Sequence, residues 1–164
     1  MGAGYPGAVF ELRPANAADT ELLWRIQRRA LGSYVTAVYG TDAAQQRRFF
    51  DQYFRVAAHE IIQVAGEDAG YLFYERRGDH LYLGNLALLP EFQRRGVGAA
   101  VLRHVLGRGN AQGLPVRLQV LRSNPARNFY ARKGFELVGE TATHWLMARA
   151  PDGAPGVGGM LEEP

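Results

Sequence analysis

The segment Gln93-Arg94-Arg95-Gly96-Val97-Gly98 has the residue types and spacing that hold a phosphate. It follows a β-type run and the turn Leu89-Pro90-Glu91, and it opens a helical pattern. In that context successive backbone N–H groups converge on an anion at a helix N-terminus. Gly96 and Gly98 permit close backbone approach, and Arg94 and Arg95 offer guanidinium groups that match phosphate geometry bidentately. The loop lacks the Lys-Ser/Thr pair of a Walker A motif, and Val101 replaces the third glycine of a dinucleotide fingerprint. The strand before it lies mid-chain in an antiparallel meander, which also argues against a Rossmann unit.

Such a loop needs a strand before it and a helix behind it. His80 to Leu88 reads as the strand, closing a meander whose earlier members are Glu60 to Ala65 and Gly70 to Arg76, separated by GEDAG and RRGD. The helix runs from Gly96 to about Gly109 with Val97, Ala100, Val101, His104 and Val105 on one face. Pro115 to Leu121 then forms a strand parallel to the one before the loop, a β-α-β unit. A short helix from Pro125 to Arg132 stops at Gly134, and Phe135 to Glu140 and Thr143 to Ala148 are the last strands.

Upstream, Ala8 to Arg13 reads as a strand and Ala17 to Leu31 as a helix with Leu22, Leu23, Ile26 and Ala30 on one face, capped by Asn16 with Asp19. Ser33 to Tyr39 has no clear period, and Thr41 or Asp42 caps a second helix carrying Phe49, Phe50, Tyr53 and Phe54. These four aromatics read as core, with an acceptor-pocket wall shared with Tyr34 and Tyr39 as the alternative. Mixed α/β architecture follows. Residues 8–150 are expected to form one domain, with residues 1–7 and the Gly/Pro-rich 151–164 disordered.

Composition narrows the chemistry. Among 164 residues there is no cysteine, so thiol nucleophiles are excluded, and His59, His80, His104 and His144 show no metal-ligand spacing. No metal is expected. The net charge of +3 is modest and no basic and aromatic residues interleave, which points away from nucleic acid and toward a small anionic ligand. No apolar run approaches the roughly 20 residues of a membrane span, and no signal peptide is evident, so no membrane partner is expected and a cytoplasmic location is the default.

Gln93 to Gly98 resembles the Q/R-x-x-G-x-G/A acyl-CoA signature of the GCN5-related N-acetyltransferases (GNAT). A second block, LQVLRSNPARNFYARKGFE, also resembles that family, with Asn124-Pro125-Ala126, the aromatic Phe129, Tyr130, and Lys133-Gly134-Phe135 at the next strand. The resemblance implies a mostly antiparallel sheet of about six to seven strands with one splayed parallel pair and about four flanking helices. It implies acetyl-CoA as co-substrate, without a metal, and transfer of the acetyl group to a primary amine of a small molecule or a protein.

By that resemblance, Gln93, Arg94, Arg95, Gly96, Val97, Gly98 and Ala99 hold the pyrophosphate. Leu86, Ala87 and Leu88 line the pantetheine arm, and a backbone N–H near Leu86 serves the thioester oxyanion. Asn124 hydrogen-bonds the arm or a water, Phe129 flanks it, and Tyr130 is the general acid for the leaving thiolate. Read without the resemblance, Asn124 before Pro125 is an ordinary helix start, and Phe129 and Tyr130 are packed rings. The family's carboxylate base has no counterpart among Leu81 to Asn85, which leaves Glu60, Glu75, His80 and His144 as weak candidates. The alternative reading is a catalytically silent acyl-CoA-binding sensor or interaction module. A homodimer is the reasonable prior for assembly.

Overall fold

Two capping boxes begin the helical part of the chain, and both are closed by side chains that the amino-acid order places three apart. The computed structural model describes residues 9–156. Asn16 Oδ1 accepts from the Ala18 N–H at 2.8 Å while Asp19 Oδ2 accepts from the Asn16 N–H at 2.9 Å, starting a 3-10 turn that runs into helix α1, Thr20–Tyr39. Asp42 and Gln45 repeat the exchange at 2.8 Å in both directions and start α2, Ala43–Tyr53. The segment from Ser33 to Tyr39, which has no clear period, completes α1. Its end is pinned by the buried Gln46, whose Nε2 donates to Thr36 Oγ1 at 2.9 Å and Thr41 O at 3.2 Å, and Gly40 at φ 71° closes the helix.

The strands are β1, Glu11–Pro14; β2, Glu60–Val64; β3, Glu67–Arg77; β4, His80–Leu88; β5, Val116–Leu121; β6, Glu136–Glu140; and β7, His144–Arg149. Helices α3, Val97–Gln112, and α4, Ala126–Arg132, complete the set. Among the described residues the strand order is β1-β2-β3-β4-β5-β7-β6, with one parallel pair, β4 and β5. This is the mixed α/β, mostly antiparallel architecture that the sequence predicts, with four helices among the described residues. The β2–β3 hairpin turns earlier than GEDAG suggests. Ala65 at φ 52° and Gly66 at φ 82° form a two-residue turn, and Glu67 already lies in β3.

The described chain divides into two compact units. One holds the residues up to Phe73 together with Asn85–His104, and the other holds Tyr74–Gly84 with the residues from Val105 on. In the first, β1 to β3 pair antiparallel and Leu23 and Ile26 of α1, Phe50 of α2, Tyr71 of β3, and Ala87, Leu89 and Phe92 form one buried cluster. In the second, Leu81–Leu83 of β4 run parallel to Val116–Leu118, and β5 and β6 flank β7 antiparallel. The expectations for residues 1–7 and 157–164 lie outside the described residues. Residues 151–156 follow β7, and Asp152 is held by Asn110 through bonds of 3.0 and 2.8 Å and by Arg149 at 3.0 Å.

Two of the four aromatics Phe49, Phe50, Tyr53 and Phe54 are not core. Phe50 is buried, but Phe49 and Tyr53 are 64% and 59% exposed and contact each other at 4.7 Å between ring centroids. Their i, i+4 spacing puts them on one face and Phe50 with Phe54 on the neighbouring one, which takes the buried side.

Gly70 is required where β3 meets the end of β4. A Cβ there would stand 2.1 Å from the Ala87 carbonyl oxygen and 2.8 Å from Leu88 Cδ2. Because the first neighbour is backbone, alanine must push the strands apart. Gly70→Ala should destabilise by about 2 kcal/mol, lowering Tm by ~4–8 °C, whereas an unchanged urea midpoint would mean that the strands yield without cost.

Candidate active site

The loop that the sequence predicts to hold an anion runs from the end of β4 to the first turn of α3, all within the first unit. Gln93 Nε2 donates to Leu88 O at 2.9 Å, tying the loop back to β4, and the Leu89 N–H reaches Ala69 O at 2.8 Å. Pro90–Phe92 form a 3-10 turn whose Phe92 is buried, and Arg29 of α1 grips Glu91 in a two-pronged pair with both contacts at 3.0 Å. That pair holds the Glu91 carboxyl below the usual carboxylate range. The Arg95 guanidinium lies over the Phe92 ring at 5.5 Å.

Beyond this anchor the backbone takes an unusual course. Arg94 has φ 62°, one of two non-glycine residues with positive φ among the described residues, and Gly96 has φ 82°. A left-handed arginine is sterically costly, and costly backbone of this kind collects at ligand sites. The Ala100 N–H bonds Gly96 O at 3.1 Å, so Gly96 starts the α3 ladder, and the N–H groups of Val97, Gly98 and Ala99 precede the first intrahelical bond. Gln93, Arg94, Arg95 and Gly96 are exposed, while Val97 is buried. Val97 therefore packs its side chain in the core and leaves only its backbone N–H at the start of α3. The donor set, two exposed guanidinium groups and a run of N–H groups at a helix start, suits a phosphate or pyrophosphate. Of the residues before the loop, Ala87 is buried in the core and Leu86 and Leu88 are half-buried.

The second unit carries the other predicted residues. Asn124 Oδ1 accepts from the Ala126 N–H at 2.9 Å, so its carboxamide oxygen starts α4 and its NH2 group is left for another partner. Tyr130 is 8% exposed, with its ring edge-on to Phe129 at 5.2 Å and Phe135 at 5.5 Å. Burial pushes its phenol well above the ordinary value, which keeps it protonated at neutral pH. Trp145 lies under two guanidinium groups, Arg122 and Arg127, each at 4.2 Å, and Arg122 also pairs with Glu140 at 2.5 Å. This double contact fastens the turn containing Asn124 to the β6–β7 hairpin.

The candidate bases are engaged elsewhere or weakly placed. Glu75 pairs with Arg77 at 2.7 Å, and His80 Nδ1 lies 2.9 Å from Asp79 Oδ1. His144, half-buried with Nδ1 2.8 Å from Thr143 Oγ1, has its pKa lowered by burial. Glu60 begins β2, half-buried and paired in register with Pro14 and Leu72. The polar pair that sequence reading passed over is His59 and Asn85, 2.9 Å apart in the first unit. The one available signal was a histidine flanked by aromatic-rich segments, and only the strand register brings it to Asn85. Among the described residues no group of three or more His, Asp or Glu could hold a metal, and no helix is long and apolar enough to cross a membrane.

Residues 45–137 match the model of the acetyltransferase (GNAT) domain family. The chain is 28% identical over 145 residues to a mycothiol acetyltransferase of Sanguibacter keddieii; the match takes in 88% of this chain but spans only 44% of that relative's length. The fold is similar to that of the PaiA N-acetyltransferase of Thermoplasma acidophilum, solved in complex with coenzyme A, with TM-score 0.72 at 17% identity over 87% of this chain and 99% of that one. It is also similar to an acetyltransferase of Thermus thermophilus, with TM-score 0.65 at 20% identity over 87% and 97% of the two chains.

Proposed function

Since the chain belongs to the GNAT acetyltransferase family, we propose that its loop from Gln93 to Ala99 binds the pyrophosphate of acetyl-CoA and that the protein moves the acetyl group to a primary amine. The observation that carries this reading is the left-handed Arg94 and Gly96 at the entrance to α3, which leave a run of N–H groups and two exposed guanidinium groups for one anion. The acceptor belongs to a small molecule or a protein.

The residues divide the work as follows. Arg94 and Arg95 neutralise the pyrophosphate, and the backbone after Leu83, where the parallel register with β5 ends, accompanies the pantetheine arm past Leu86 and Leu88. An alkyl amine with a pKa near 10.4 is neutral in only about one part in 10³ at pH 7, so a base or a water chain has to take its proton before attack, and water is the acceptor taken here. The amine lone pair then forms the C–N bond, the C–S bond breaks with its electron pair on sulfur, and the Leu86 N–H holds the carbonyl oxygen meanwhile. Tyr130 supplies the proton that the sulfur takes and regains one from water, which receives the proton lost by nitrogen, so the phenol is restored. The NH2 group of Asn124, left over from its capping role, steadies the arm or a water.

Calorimetric titration with acetyl-CoA, beside CoA, NAD and ATP, tests the first half. Selective binding of acetyl-CoA and CoA is expected, and no binding would overturn the reading. A primary-amine screen tests the second: release of free CoA thiol on amine addition supports transfer, and binding without turnover across the screen would make the protein a silent acyl-CoA sensor.

A further inference from the structure

His59 is a buried histidine in the first unit, set in a box of aromatic rings. It stacks on Phe54 at 4.1 Å, meets the edge of Tyr71 at 5.3 Å and lies beside Phe73 at 5.3 Å. Nδ1 is 2.7 Å from the carbonyl oxygen of Arg55, a group that only accepts, so Nδ1 carries the hydrogen. Burial holds the ring pKa down to about 4, outweighing the bond to the Arg55 carbonyl that raises it and helped to a lesser degree by the Arg55 charge, which leaves the imidazole neutral. Nε2 therefore presents a lone pair.

That lone pair decides the orientation of Asn85. Nε2 lies 2.9 Å from the Asn85 amide nitrogen, and the two satisfy each other only when Nδ2–H donates. A flipped carboxamide would set its oxygen against the lone pair. Asn85 Oδ1 is thus turned away from His59, and among the described residues it meets no donor. Among those same residues no fully buried side-chain nitrogen or oxygen lacks a partner, so Oδ1 is open to solvent. Asn85 shares a strand face with Ala87, whose side chain packs in the cluster with α1 and α2, and it directly precedes Leu86.

The geometry points to Asn85 as the residue that orients the acceptor amine, accepting one of its N–H groups at Oδ1, with His59 as the positioning residue that prevents the carboxamide from flipping. This assignment rests on the acetyl-transfer reading, which sets the thioester carbonyl at the Leu86 N–H. An uncharged acceptor suits the reaction: it aligns a neutral amine with its lone pair toward the carbonyl, whereas a carboxylate there would favour the unreactive ammonium form. Atoms balance as before, because Asn85 takes no proton and water receives the one nitrogen loses.

The test uses the full chain with acetyl-CoA and a panel of n-butylamine, spermidine and a lysine-containing peptide. Asn85→Ala should lower kcat/KM for the amine about 30-fold with the Kd of acetyl-CoA unchanged. His59→Phe, which refills the aromatic box, should lower it about 10-fold, and the double variant should be no worse than Asn85→Ala alone because one acts through the other. Additive losses, or an unaltered kcat/KM in Asn85→Ala, would overturn the assignment. Long-range proton–nitrogen NMR of the wild-type imidazole needs no variant: the Nδ1–H tautomer should persist from pH 8 down to about 5, and the opposite tautomer or a midpoint near ~6.5 would also overturn it. If wild-type protein fails to bind acetyl-CoA, or binds it and acetylates none of the panel, the functional reading fails instead, and the NMR result still decides how Asn85 is held.

Discussion

Gly96→Glu should abolish measurable acetyl-CoA binding, weakening it by at least ~100-fold, or about 2.7 kcal/mol. Two costs combine. Gly96 sits at φ 82°, where any side chain is strained, and an L-residue in the left-handed region costs about 1–2 kcal/mol. Glutamate also puts a negative charge on an exposed loop whose proposed role is to meet pyrophosphate. Gly96→Ala separates the terms. It carries the strain without the charge and should weaken binding about 5- to 30-fold, with the remainder of the glutamate effect shrinking as salt is raised. Calorimetry of the three proteins at two ionic strengths checks this. Binding by Gly96→Glu within threefold of wild type would move the phosphate site away from α3.

The loop was legible in the sequence because its physics is local. Glycines at fixed offsets and a strand-to-helix change of period mark the turn from β4 into the start of α3 without reference to distant contacts. The same holds for the two capping boxes, in which Asn16 with Asp19 and Asp42 with Gln45 exchange bonds over three residues. Elements that depend on tertiary contacts were not legible. Val35, Thr36 and Val38 are weak helix formers, yet α1 runs through them because Gln46 of α2 anchors Thr36 and the following loop. Phe49 and Tyr53 look like core by type, and only the rotation of α2, set by Phe50 and the Trp24 ring 5.4 Å from it, turns them outward. His59 and Asn85 lie far apart along the chain, so their pairing follows from the fold of the first unit and from nothing in the local pattern.

Tyr130→Phe should lower kcat by about 10²–10³-fold while leaving the Kd of acetyl-CoA within about twofold. The substitution removes one hydroxyl and keeps the ring that packs between Phe129 and Phe135, so the fold and the binding of acetyl-CoA persist. Burial raises the phenol pKa, which makes Tyr130 a weaker acid than free tyrosine. The sign fixes the pH behaviour. A raised pKa keeps the proton-bearing form populated to higher pH, so wild-type kcat should show no loss from Tyr130 ionisation up to about pH 10, the ordinary phenol value. The phenylalanine variant should fall by the same factor at every pH in that range. Steady-state rates of thiol release from pH 6 to about 10 decide the matter: a variant with wild-type kcat, or one whose deficit vanishes toward acid pH where solvent hydronium can serve, would take the proton-donor role from Tyr130 and give it to water.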